Sequence, residues 1–147
     1  MDTAKIFADL SHARRLHVGA IVVKDDRIIS IGYNGMPAGW DNNCEYEETV
    51  LQSTYGEDAR LVKTGELKTR PEVLHAESNA IAKLARSSES GLGADIFITH
   101  APCIDCAKLI YQSGIKRVYF GMAYRDDAGI NFLEKSGITV EHVQSKI

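Results

Sequence analysis

Cysteine is scarce in this chain, with three in 147 residues, and an odd number of thiols excludes the fully paired disulfide framework that staples small secreted domains. Long apolar runs are missing as well. None approaches the roughly 20 residues a helix needs to cross a bilayer, so no membrane partner is expected. There is no basic surplus either: 17 Lys and Arg stand against 20 Asp and Glu, a formal net charge of −3, which argues against a nucleic-acid partner. Internal repeats and low-complexity tracts are absent. The first residues carry Asp2 and Asp9 and no apolar stretch followed by a small-residue cleavage site, so no secretory signal is expected and the expected compartment is the cytoplasm.

What remains has the composition of an ordinary globular domain, 44% hydrophobic and 25% charged. A chain of this length can bury roughly 70% of its unfolded surface, so one domain over 1–147 with one core is expected. Ala4, Ile6, Phe7 and Leu10 predict a short N-terminal helix ending before Ser11. The β-branched run 18–23 and the run 28–33, joined by Asp25-Asp26-Arg27, predict a hairpin. From 34 to 74 the pattern dissolves into Gly, Asn, Asp, Glu and Thr, and a long functional loop is expected there, with 47–52 a possible helical stretch. Beyond it, helices are expected over 75–86, 103–112 and 130–135, and strands over 95–99, 117–120 and 138–143. This alternation implies a three-layer α/β/α arrangement around a five-stranded mixed sheet.

The chemistry concentrates in His75-Ala76-Glu77 and Pro102-Cys103-Ile104-Asp105-Cys106. His75, Cys103 and Cys106 are zinc-type ligands, and three of them leave one tetrahedral position open to water, as in catalytic and not structural sites. Zinc-bound water has a pKa near 7, and Glu77, two residues from the imidazole, is a carboxylate able to take its proton and pass it on. Both half-sites fall at expected helix N-termini, whose unpaired N–H groups and partial positive charge stabilise thiolates.

Other readings of the same residues stay open on spacing alone. The three donors could be a core His and two buried thiols. They could also form a closed structural zinc site with Cys44 as fourth ligand, in a binding module where Glu77 is only a helix-surface carboxylate. Asn34-Gly35 is a common turn dipeptide. Ser11, Arg14, Arg15, Tyr124 and Arg125 could be plain surface residues, although the three arginines are also the cations a small anionic substrate would need. His12, His17, His100 and His142 read as surface or packing residues, with His100 near enough in sequence to support the metal ligands.

The chain resembles the zinc-dependent cytidine and deoxycytidylate deaminase superfamily, most closely its deoxycytidylate (dCMP) deaminase branch, from about Ser11 to Val140. The resemblance is carried by SHARRLHVGA from Ser11, by Gly32-Tyr33-Asn34-Gly35 with Pro37 and Gly39, by HAESNAI from His75, and by THAPCIDCAKLI from Thr99. A His, a non-ligating Glu and a later Pro-Cys-x-x-Cys is the general signature of zinc deaminases. The resemblance implies a cytidine-deaminase-like α/β/α fold and hydrolysis of dCMP to dUMP and ammonia, with Glu77 as proton shuttle. It implies that the N–H of Ala76 holds the base, that Asn34 contacts the sugar or base, and that Ser11, Arg15, Tyr124 and Arg125 hold the phosphate. It further implies a homo-oligomer, commonly a hexamer, activated by dCTP with Mg2+ and inhibited by dTTP at a pocket around 32–39 that includes Gly35 and Gly39. Deamination of cytidine, guanine or tRNA adenosine is the alternative within the superfamily.

Overall fold

A computed structural model describes residues 1–56, 58–144 and 146. In chain order the elements are α1 (Asp2–Ala8), β1 (Gly19–Lys24), β2 (Arg27–Tyr33), β3 (Glu45–Gln52), β4 (Arg60–Thr69), α2 (Ala76–Ala85), β5 (Asp95–His100), α3 (Ile104–Gln112), β6 (Arg117–Met122), α4 (Ala128–Lys135) and β7 (Thr139–His142). Five strands form one sheet in the order β2-β1-β5-β6-β7. β1 runs antiparallel to both β2 and β5, while β5, β6 and β7 are parallel. The mixed sheet that the strand and helix alternation implies is therefore present.

The β1–β2 hairpin turns at Asp25 and Asp26, whose φ angles of 50° and 56° are both positive. Two such residues in a two-residue loop twist the way the flanking strands do, and Asp tolerates this region better than most residues. Successive side chains on a strand face opposite ways. Ala20 and Val22 of β1 join Ile96, Ile98 and Val118 in a core completed by Ala76, Ala80 and Leu84 of α2, Ala107 and Ile110 of α3 and Leu133 of α4. The neighbouring Gly19 faces the other way, where a side chain would run into the backbone of α1. Three helices thus cover one face, α1 covers part of the other, and the sheet lies between.

The region 34–74 differs from expectation. It holds no helix over 47–52; β3 and β4 instead pair antiparallel as a separate two-stranded sheet. Thr49 and Val50 are β-branched, and Val50 and Leu51 find apolar partners directly across the ladder in Val62 and Leu61, which favours strand over helix. The other departures are shifts of one or two residues at element ends, the usual scatter at frayed termini.

The topology brings several segments to one edge of the main sheet. Gly19 at the start of β1 pairs with Tyr33 at the end of β2, and His100 at the end of β5 pairs with Met122 of β6. The connections leaving β5 and β6 emerge at that edge, where ligands of α/β sheets commonly bind.

Candidate active site

His75 is the N-cap of α2 and Cys103 the N-cap of α3, each with an extended backbone (φ −74°, ψ 155° and φ −69°, ψ 168°). Cys106 lies one turn into α3, and its N–H reaches Cys103 Sγ at 3.5 Å. The imidazole Nδ1 of His75 is 3.6 Å from Cys103 Sγ and 3.4 Å from Cys106 Sγ. Ligand atoms at 2.0–2.1 Å and 2.3 Å from a tetrahedral zinc ion would stand about 3.6 Å apart, so the spacing fits that ion. All three donor atoms lie within 4.8 Å of one another. Cys44 is not part of the cluster; it is buried, with its thiol directed to the carbonyl of Asn42 at 3.5 Å. A closed site with Cys44 as fourth ligand therefore finds no support among the described residues.

Two glycines let these half-sites come together. A Cβ on Gly32 would overlap the carbonyl of Ala76, so the first turn of α2 can lie flat on the end of β2. A Cβ on Gly129 would overlap the carbonyl of Pro102, so α4 can press against the backbone entering α3. Asn79, another residue of the first turns of α2, donates Nδ2 to the carbonyl of Tyr33 at 2.9 Å and fastens the helix to the same strand end.

The donor cluster is electrostatically uneven. The Cys103 thiol is held down to about 4, first by a hydrogen bond from Cys106 and then by one from His75. That bond and burial push the Cys106 thiol well above its ordinary range. The imidazole of His75 is raised, chiefly by its bond to Cys103. These groups share protons that a cation would displace, since thiolate and neutral imidazole are the metal-binding forms. Glu77 is buried, and burial pushes its carboxyl up to about 7, with partial relief from its own backbone N–H and from His75.

Asn34 is fixed at both ends of its amide: Oδ1 accepts the N–H of Val18 and Nδ2 donates to the carbonyl of Leu16, each at 2.8 Å. Each amide atom retains one further hydrogen-bonding position. Ser11 is buried, donates Oγ to the carbonyl of Asn34 at 2.8 Å and accepts the N–H of Ala13 at 3.2 Å. Arg15 donates Nη1 to Thr69 Oγ1 at 2.9 Å. Ala76 is buried as the first residue of α2, a position whose N–H has no intrahelical acceptor. Gly35 pairs with Leu74, the residue before His75, while Gly39 has φ +84° in the turn beyond. Tyr124 and Arg125 lie on the connection leaving β6, with the guanidinium 5.2 Å from the ring centre.

Glu45 and Thr99 were not visible as site residues in the sequence. Glu45 is a buried carboxylate that accepts the N–H of Arg14 at 2.9 Å and of Arg15 at 3.2 Å. Thr99 Oγ1 accepts the N–H of Gly19 at 3.1 Å and lies 2.9 Å from His100 Nδ1. A cavity of about 380 Å³ lies on the α1 side, lined by Lys5, Ile6, Asp9, His17, His100 and Met122 among others, and it includes none of His75, Glu77, Cys103 or Cys106. The donor set, not cavity size, locates the chemistry.

The sequence profile of the cytidine and deoxycytidylate deaminase zinc-binding region matches residues 1–122. The chain is 37% identical over 145 residues to ComE operon protein 2 of Bacillus subtilis, covering 98% of this chain and 69% of that protein. It is 36% identical over 154 residues to the deoxycytidylate deaminase of Enterobacteria phage T4, covering 88% and 80%. The dCMP deaminase of cyanophage S-TIM5, solved in complex with dCMP and dUMP, superposes with a TM-score of 0.81 at 42% identity, covering 97% of this chain and 92% of that one.

Proposed function

The chain belongs to the family of zinc-binding cytidine and deoxycytidylate deaminases, and from that premise we propose that it hydrolyses dCMP to dUMP and ammonia. The observation that carries this reading is the meeting of His75, Cys103 and Cys106 beside the buried Glu77. A zinc ion held by His75, Cys103 and Cys106 would supply the Lewis acidity that makes water a nucleophile at neutral pH. Glu77 takes a proton from the attacking water and delivers it to N3 of the base as the oxygen joins C4. It then carries the second proton to the 4-amino group, the C4–N bond breaks, and ammonia leaves. Burial of Glu77 keeps bulk water from competing for these protons.

The rest of the chain binds and orients. The N–H of Ala76 holds the base oxygen O2, and the free positions on the Asn34 amide reach the sugar or base. Arg15 is the main phosphate contact, with Tyr124 and Arg125 approaching from the connection after β6. Ser11 serves the phosphate end through the backbone it shapes, because its hydroxyl is already engaged with Asn34 and Ala13.

We extend the reading to regulation, with dCTP and Mg2+ activating and dTTP inhibiting at the turn containing Gly35 and Gly39. Neither glycine has an atom within 4 Å of where a Cβ would stand, which leaves room for phosphate groups to approach the backbone. A homo-oligomer, by preference a hexamer, is supported by exposed apolar side chains such as Ile6, Leu51, Leu61 and Met122. A reducing compartment such as the cytoplasm suits three free thiols, two of them at the metal site.

The test is the initial rate of loss of dCMP beside deoxycytidine, each with and without dCTP and Mg2+, with zinc present throughout. Selective turnover of dCMP is expected, and its stimulation by dCTP supports the regulatory site. Absence of dCMP turnover both with and without dCTP and Mg2+ would overturn the substrate assignment.

A further inference from the structure

The hairpin of β3 and β4 packs chiefly on itself, and a two-stranded sheet alone is marginally stable. Its base is nevertheless fastened firmly. Glu45, its first residue, has a fully buried side chain, and a buried carboxylate is costly unless its acceptor positions are filled. They are filled from one short segment. Oε1 takes the N–H groups of Arg14 and Arg15, and Oε2 takes Nε of Arg14 at 3.4 Å. Residues 11–18 contain no helix or strand, so this carboxylate, Ser11 at one end and Asn34 at the other define their path.

The two arginines end up in different states. Arg14 folds back, its Nη2 reaching Asn43 Oδ1 at 3.2 Å and the carbonyl of Glu45 at 3.3 Å, so its charge is matched by Glu45. Arg15 has only the neutral hydroxyl of Thr69 as a hydrogen-bond partner for its guanidinium among the described residues, with Glu66 at electrostatic range. Thr69 ends β4, six residues before His75, and the intervening Leu74 is paired to Gly35 beside Asn34. The clamp on Arg14 and Arg15 is thus tied, through Thr69, to the strand whose continuation leads into His75.

We propose that Glu45 is a positioning residue: by fixing the Arg14–Arg15 backbone and neutralising Arg14, it presents the Arg15 guanidinium to the phosphate of the nucleotide. This rests on the dCMP reading above and adds a determinant of phosphate selectivity that lies outside the metal site. Without the carboxylate, Arg14 loses its counter-charge, the segment loses two backbone anchors, and Arg15 is no longer held toward the ligand.

The experiment is a double-mutant cycle with Glu45→Gln and Arg15→Gln in the full chain with zinc, reading KM and kcat for dCMP and kcat/KM for deoxycytidine. Glu45→Gln should raise KM for dCMP about tenfold or more, as for a lost charge-assisted interaction, with a smaller change in kcat. The ratio of kcat/KM for dCMP to that for deoxycytidine should fall by a similar factor. In the Arg15→Gln background the same substitution should add little, because both act on one contact. Should Glu45→Gln fail to fold, Glu45→Asp, which keeps the charge with a shorter reach, replaces it in the cycle. Multiplying effects, or equal losses on both substrates accompanied by a lower Tm, would overturn the inference while leaving dCMP deamination standing. A wild-type protein inactive on dCMP would remove both.

Discussion

Gly32 of β2 lies directly against the carbonyl of Ala76 in the first turn of α2, close enough that no side chain fits between them. The helix start that carries His75 and Glu77 is therefore positioned by what position 32 lacks. Gly32→Ala forces helix and strand apart, and overpacking of this kind costs about 1–3 kcal/mol. For a domain of this size that lowers Tm by several degrees, about 2–4 °C per kcal/mol. Activity at a temperature where the variant is fully folded should fall further than stability explains, because the imidazole and carboxylate move with the helix. Thermal melts beside kcat/KM for dCMP check this, and full activity in a folded Gly32→Ala protein would contradict it.

Glu77→Ala separates metal binding from turnover. The carboxylate is not among the three metal donors, so zinc content measured by atomic absorption should remain that of the wild type. The rate of dCMP hydrolysis should fall by about 10²–10⁴, the usual contribution of a positioned acid and base. Loss of zinc from this variant would show that Glu77 holds the metal and not the proton.

Removal of the metal should abolish activity and also destabilise the fold, since a ligand bound only by the native state adds about 4 kcal/mol at 1,000 times its Kd. Dialysis against a chelator should lower Tm, and stoichiometric zinc should restore both Tm and rate. The thiol of Cys103, half-exposed and held as thiolate, should alkylate with iodoacetamide only in the chelated protein. Equal labelling with and without zinc would place the metal elsewhere.

The reactive centre was legible in the sequence because its spacing is local: Glu77 is two residues from His75, and Cys106 three from Cys103. Each half-site is recognisable without knowledge of the fold, whereas bringing His75 to cysteines 28 and 31 residues away takes the packing of α2 against α3. The hairpin at 45–69 was not legible. Both of its faces are largely exposed, so its few apolar pairs, Val50 with Val62 and Leu51 with Leu61, leave no alternation to detect. Glu45 was hidden for a different reason. Its partner Arg14 is 31 residues away, and in composition it is one acidic residue among several in 45–48. Asn34 was found through its motif, yet its clamp on Leu16 and Val18 is a long-range contact that only the folded chain displays.

His100 gives the fold a pH dependence that can be isolated from the metal site. Burial pulls its imidazole below the ordinary value of 6.5, so the folded chain favours the neutral ring. Thr99 Oγ1, already accepting from Gly19, has its own proton available for Nδ1 of that neutral ring. For a base with a depressed folded pKa, the unfolded chain takes up protons first as pH falls. Stability is therefore complete above about 6.5, declines below it, and levels off once the folded ring is also protonated. His100→Asn keeps an acceptor near the Thr99 hydroxyl but cannot titrate. The decline in Tm between pH 7.5 and 5.5 should consequently be shallower in His100→Asn than in the wild type. Both proteins share His75 and the two metal-site thiols, so those contributions cancel in the difference. Parallel Tm curves would show that burial of His100 has no bearing on the acid stability of the fold.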